Sequence, residues 1–208
     1  MTNLKIKGFR FNELTEEVQE KLYYKWLEFD PYSWGTDNEK TLEEFTNIFP
    51  VTVTNWEYGY HKHINFYMNC DDEIEELTGI RLLKYVHNNY YDYLYKGKFY
   101  STKGEYINGQ YSYKKRYSKV IKDNCCVLTG YCIDDDILKP IYDFLKKPNK
   151  YTTFKELIEE CLNSWVNACH NDYEHSTSFE YFKEDQTEID DNYYTENGDV
   201  ISDYDIAI

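Results

Sequence analysis

The sequence predicts an α+β fold: a small antiparallel sheet packed with several helices, and one long core helix at about residues 153–170. Three observations predict it. Phe154, Leu157, Ile158, Cys161, Leu162, Trp165, Val166 and Cys169 recur at helical spacing for four turns, behind a Thr153–Glu156 pair with capping-box spacing. Val51 and Val53, then Ile64, Phe66 and Met68, alternate with polar residues at strand spacing. Leu14, Val18, Leu22 and Trp26 repeat every fourth residue, the seam of an amphipathic helix.

In chain order, the first helix is opened by Thr15, with Glu16 and Glu17 in its first turn, where acids suit the helix dipole. A short helix is expected at Thr41–Glu44, whose end residues have capping-box spacing. The two alternating runs then pair as strands joined through Gly59. Ile80, Leu83, Val86 and Tyr90 have helical spacing, although the tyrosines there would also suit a strand. Asp134, Asp135 and Asp136 precede Ile137, Leu138, Ile141 and Leu145, so a helix is expected with the acids at its start and Pro140 in its first turn. No internal repeat or Pro-rich or Gly/Ser-rich linker interrupts the chain. One domain over residues 1–208 is the expectation, with a polar acidic C-terminal segment at about 171–208.

The 208 residues carry 38 Asp and Glu against 23 Lys and Arg, a net charge of −15. Such a surface repels bare phosphate backbones and anionic membranes. Leu, Ile, Val and Phe make up only about 23% of the chain, little above the roughly 20% of disordered acidic chains. The 24 tyrosines supply the missing core material, since a tyrosine buries its ring while its hydroxyl stays wet. No apolar run reaches the roughly 18 residues of a membrane span, and MTNLKIKGFR has no apolar signal region. A cytoplasmic protein is expected, with its six cysteines reduced and mostly buried.

Charge is segregated along the chain. Residues 171–208 hold twelve acids and the single base Lys183, and residues 13–47 hold ten acids against three lysines. Between them, residues 81–122 hold ten bases against Asp92 and Glu105, together with ten tyrosines. Lys114, Lys115, Arg116 and Lys119 with Tyr111, Tyr113 and Tyr117 are the residue types that bind single-stranded nucleic acid, rings for bases and cations for phosphates. Neutralisation by the molecule's own acids is the simpler reading of the same cluster. The acids in turn can imitate nucleic-acid phosphates and occupy a basic groove on another protein. Glu184, Asp185, Glu188, Asp190 and Asp191 are the first candidates for such contacts, with Asp71, Asp72 and Glu73 behind them.

Catalytic signatures are missing: there is no Walker loop, GxGxxG, HExxH or GxSxG. His61 and His63, two apart, would share one face of a strand and could hold a metal with Asp71, Asp72 or Glu73. Solvated strand histidines are the commoner occurrence, and no metal or other cofactor is expected. Cys169 with His175 has the residue types of a nucleophile and base, but Cys169 lies on the apolar stripe.

Phe11-Asn12-Glu13-Leu14-Thr15-Glu16-Glu17-Val18-Gln19-Glu20-Lys21, Leu128-Thr129-Gly130-Tyr131-Cys132, Asp172-Tyr173-Glu174, Ser178-Phe179-Glu180 and Tyr194-Thr195-Glu196-Asn197-Gly198 occur together. This set resembles a family of acidic proteins encoded by phages and prophages of low-GC bacteria. The shared motifs are structural, so no functional residue carries over. The resemblance implies an anti-defence factor of the anti-CRISPR kind, acting in the host bacterial cytosol. The expectation is therefore a non-enzymatic inhibitor that binds a host defence nuclease or CRISPR effector through acidic surface and blocks its nucleic-acid groove. The alternatives are a nucleic-acid or nucleotide binder using residues 81–122, and a metal-dependent enzyme modifying a host component. Self-association into a homodimer is a further expectation, because tyrosine offers contact area at low entropic cost.

Overall fold

The computed structural model describes residues 7–29, 31–95, 98–107, 110–122, 126–188 and 192–201; for 98–107, 110–122 and residue 188 the description is of the backbone. The helices are α1 (Glu16–Leu27), α2 (Gly35–Ile48), α3 (Asp72–Glu75), α4 (Gly79–Leu94), α5 (Ile133–Lys146), α6 (Phe154–Ser176) and α7 (Phe179–Glu188). The strands are β1 (Val51–Glu57), β2 (His63–Met68), β3 (Lys98–Ile107), β4 (Gln110–Lys122), β5 (Tyr193–Tyr194) and β6 (Val200–Ile201). They form three antiparallel pairs, β1–β2, β3–β4 and β5–β6. The fold is α+β. Contacts divide the chain into two compact units, residues 1–33 with 171–208, and residues 34–170.

Residues 34–170 are organised by α6. Its eight stripe residues from Phe154 to Cys169 are all buried, as their spacing predicts. Thr153 and Glu156 close the expected capping box: the Thr153 N–H donates to Glu156 Oε2 at 2.8 Å, and the Glu156 N–H to Thr153 Oγ1 at 3.2 Å. Trp165 is 0% exposed, with Trp56 and Tyr58 edge-on at 5.4 and 5.9 Å. Its indole N–H donates to the Asn38 carbonyl in α2 at 3.1 Å, so the ring is buried without an orphaned donor.

β1 and β2 pair as the alternation predicts, Val51 opposite Met68 and Val53 opposite Phe66. α4 is a helix throughout, but its buried face is Leu82, Val86, Tyr90 and Leu94. Ile80 is 61% exposed, about 100° of helical rotation from the centre of that face. Leu82, two residues on, takes the buried position expected of Ile80.

Two local expectations fail for one shared reason. Thr41 does not cap a short helix: it lies inside the longer α2, and its hydroxyl donates to Asp134 Oδ1 at 3.0 Å. Asp134 is itself 0% exposed. Its Oδ2 accepts the backbone N–H groups of Leu128, Thr129 and Gly130 at 2.9, 2.8 and 3.1 Å, and its Oδ1 also accepts the Thr129 hydroxyl at 2.8 Å. The carboxylate thus closes the 128–130 loop and ties it to α2. Asp135 and Asp136 stay at the surface in the first turn of α5, as expected of acids at a helix start.

Because α5 begins at Ile133, Pro140 falls in its interior, not its first turn. Proline has no N–H for the Asp136 carbonyl four residues earlier. The Ser164 hydroxyl of α6 donates to that carbonyl instead, at 2.7 Å. A helical defect becomes a tie between helices.

The other unit joins the two ends of the chain. Phe11, Leu14, Phe182 and Tyr194 are buried together, with Phe9, Val18, Leu22, Tyr23, Trp26 and Phe179 packed against them. The rings of Phe11 and Trp26 lie 5.4 and 5.2 Å from that of Phe182. Phe9 and Tyr194 exchange both backbone hydrogen bonds, at 2.9 and 2.8 Å. The seam Leu14, Val18, Leu22 and Trp26 faces this cluster, as its spacing predicts. Gly198 turns the chain between β5 and β6 at φ +88°, where a Cβ would come within 2.9 Å of Val18 Cγ1. Both the backbone angle and the close approach demand glycine. The described residues of 171–201 are therefore built into this unit, largely as helix and strand.

Trp165→Ala should cost about 3–5 kcal/mol and lower the melting temperature sharply; a parental melting curve would mean that α6 is not the spine. Asp134→Ala should cost on the order of 3 kcal/mol, because five donors lose their acceptor. Asp134→Asn should cost less, since an amide oxygen can still face the three N–H groups while the threonine hydroxyls rotate to accept its NH₂. Urea denaturation of both variants gives the ranking.

Candidate functional site

The acids proposed as partner contacts are divided between the two compact units. Glu184 is exposed on α7, and Asp185 beside it is half-buried, accepting a hydrogen bond from Gln186 Nε2 at 3.3 Å. Glu188 is the last residue of α7, while Asp190 and Asp191 lie outside the described residues. Asp71, Asp72 and Glu73 are exposed, but they belong to the other compact unit, at α3. The Asp71 carbonyl accepts the N–H groups of Ile74 and Glu75, so this acidic triplet is the start of a single helical turn.

What the tail residues gain is a set of neighbours from the opposite end of the chain. Glu13, Glu16, Glu17, Glu20 and Glu28 are exposed on or beside α1, and Asp172, Glu180, Glu196 and Asp199 are exposed in the same unit as Glu184. Glu16 with Glu20, and Glu180 with Glu184, are like-charge pairs four apart on their helices, an arrangement that costs a few tenths of a kcal/mol each. The described bases of the unit are partly engaged. Arg10 lies over the Tyr193 ring at 4.0 Å, Lys183 over Phe179 at 4.5 Å, and Lys21 donates to the Asn197 carbonyl at 3.3 Å. The α1 acids are the contribution that a reading of the tail alone misses. Their signal was the acidic stretch 13–47, of which residues 13–33 belong to this unit and the rest to the other.

In residues 34–170, a groove of about 580 Å³ runs between α2 and β1, lined by Leu42, Val51, Val53 and Trp56 with Glu39 and Glu43 at its rim. A second, of about 670 Å³, lies between α5 and α6 beside Lys139, Lys146, Lys147 and Ser164. Lys139 and Lys146 both pair with Asp143 there.

Lys114, Lys115, Arg116, Lys119, Tyr111, Tyr113 and Tyr117 all fall on β4. Their strand positions are described; their side chains are not.

His61 lies outside β2, which begins at His63, so strand alternation does not bring the two imidazoles to one face. His63 Nε2 lies 3.3 Å from Asn55 Nδ2. Among the described residues no three His, Cys, Asp or Glu side chains come together to hold a metal ion. Cys169 is buried and His175 exposed. Burial pushes the Cys161 thiol up, away from the thiolate that nucleophilic chemistry needs. Burial likewise pushes the Tyr90 and Tyr142 phenols up, and the Tyr142 hydroxyl donates to the Leu94 carbonyl at 2.6 Å.

No helix among the described residues is long and apolar enough to cross a membrane. Compared with protein-family models, curated proteins and solved structures, the chain matches none.

Native-state alkylation followed by peptide mapping should modify the exposed Cys132 and spare Cys161 and Cys169 until the protein is unfolded. Rapid native labelling of Cys161 would contradict its place in the buried α6 stripe.

Proposed function

We propose that this protein is a non-enzymatic inhibitor of the phage anti-defence kind. Its acidic unit docks on the basic, nucleic-acid-binding surface of a host defence nuclease, most specifically a CRISPR effector. One observation carries the reading: residues 1–33 and 171–208 form one compact unit, so the carboxylates of α1 and those of the acidic tail, over 150 residues apart in sequence, belong to one body. The like-charge pairs Glu16/Glu20 and Glu180/Glu184 support it, since a basic partner would relieve a repulsion that the free protein carries. The nuclease as partner class comes from the resemblance of the Phe11–Lys21 and Tyr194–Gly198 segments to acidic phage proteins. In this reading, partner contacts shift from the tail with Asp71, Asp72 and Glu73 to α1 and α7 together.

The test uses purified CRISPR effectors loaded with guide, labelled target DNA and the full chain. DNA binding and cleavage by a susceptible effector should fall as the protein is added. Inhibition should weaken steeply between low and physiological salt. Replacing Glu16, Glu20, Glu180 and Glu184 together by Gln should weaken association about tenfold or more, chiefly through the on-rate, at an unchanged melting temperature. Inhibition that survives both the salt and the four amides would remove acidic docking as the mechanism. Failure to bind any effector of the panel would remove the partner class.

A further inference from the structure

We propose that the β3–β4 hairpin is a nucleic-acid-binding arm that takes single-stranded RNA or DNA along its basic register. This goes beyond the acidic docking proposed above and rests on other residues. In a chain of net charge −15, residues 98–122 carry seven bases against the single acid Glu105, with five tyrosines among them. The backbone register opposes four of these seven bases to one another in two pairs. Lys98 is opposite Lys122, and Lys103 is opposite Lys115, with Arg116 next in register opposite Thr102. Glu105 is opposite Ser112, so no directly opposed pair of this ribbon matches a base with an acid. Like charges at directly opposed positions destabilise an antiparallel pair, and opposite charges stabilise it. A hairpin that served only as structure would be better with the second arrangement. A bound polyanion turns the first into a favourable one, because each lysine then neutralises a phosphate.

The bulges point the same way. Lys114 is the extra residue between the pairs Lys103↔Lys115 and Gly104↔Tyr113. Between Thr102↔Arg116 and Tyr100↔Val120, β4 uses residues 117–119 where β3 uses one, and these include Tyr117 and Lys119. Bulges re-aim the strand locally and increase its twist, and they concentrate beside functional sites. Both irregularities therefore fall within the most basic stretch of the chain. Among the described residues no third strand pairs with β3 or β4, so the hairpin is a two-stranded ribbon whose longer strand could extend roughly 40 Å at about 3.3 Å per residue. Tyrosine rings next to cations are the groups that hold unpaired bases and their phosphates, which is why the proposal commits to a single strand.

The experiment titrates the full chain, with no protein partner present, against a fluorescein-labelled dT20 strand, a rU20 strand and a 20-base-pair duplex, reading anisotropy at 50 and 200 mM NaCl. Binding through the four opposed lysines should fall about 50-fold over that fourfold rise in salt, from a slope of about 0.7 per neutralised phosphate. The variant K98Q/K103Q/K115Q/K122Q should lose most of the binding and flatten the slope, with an unchanged or higher melting temperature because two like-charge pairs are gone. If that variant does not fold, K114Q/K119Q at the bulges should show half the loss of slope. No binding of either single strand at 50 mM NaCl overturns the proposal, and so does equal binding by the parent and a folded variant. Tighter binding of the duplex overturns the single-strand assignment, and competition by poly-L-glutamate as effective as that by dT20 replaces nucleic acid with an acidic protein ligand. Because no nuclease is present, failure here leaves the acidic docking untouched, and failure there leaves this arm untouched.

Discussion

Burial of one face of α6 is the constraint on which residues 34–170 depend. Eight side chains over four turns are removed from water, and each large one contributes about 1.5–3 kcal/mol relative to exposure. With few aliphatic residues in the chain, aromatic rings supply much of the rest: Trp56 and Tyr58 against Trp165, and Tyr85 against Phe154 at 5.2 Å. A core of this kind is geometrically demanding, because rings pack edge-on or offset and their polar atoms need partners. The Trp165 N–H meets the Asn38 carbonyl, and the His170 Nδ1 lies 2.7 Å from the Tyr58 carbonyl, which makes it the protonated nitrogen.

Polar ties then decide which helices meet around that spine. Asp134 and Ser164 show how. Each satisfies backbone groups that local structure leaves open: the N–H groups of the 128–130 loop in one case, the carbonyl orphaned by Pro140 in the other. Buried polar groups of this sort carry a penalty when broken that exceeds their net worth when made. They act as selectors of one packing over its neighbours. No buried side-chain nitrogen or oxygen among the described residues is left without a partner.

Charge follows a separate logic. The acids of α1 and α7 sit outside an aromatic cluster to which the same two helices give Val18, Leu22, Tyr23, Trp26, Phe179 and Phe182. Each helix therefore faces a ring-rich core on one side and presents carboxylates on the other, so the charge can be dense without entering the core. The bases concentrate in a hairpin that pairs only with itself among the described residues. The two proposals, an acidic docking unit and a basic nucleic-acid-binding arm, rest on this division of charge.

Periodic features were legible from the chain because a period is a local property. The α6 stripe, the α1 seam, the β1–β2 alternation and the Thr153–Glu156 box all formed where their spacing placed them. Features that depend on a distant partner were not legible. Thr41 has the residue type of a cap, but it bonds a carboxylate 93 residues away. Asp134 has the residue type of a surface acid at a helix start, but a loop folds back over it. Ile80 and Leu82 lie about 200° apart around the helix, and only the neighbouring core chose the side that carries Leu82. For the candidate site, the sign and spacing of charge, two acidic flanks and a basic Tyr-rich middle, can be read straight along the chain. That residues 13–33 and the acidic tail share one unit while Asp71, Asp72 and Glu73 belong to the other emerges only from the packing. The reason is physical: charge is additive along a chain, whereas proximity comes from burying Phe11, Trp26 and Phe182 against one another across more than 150 residues.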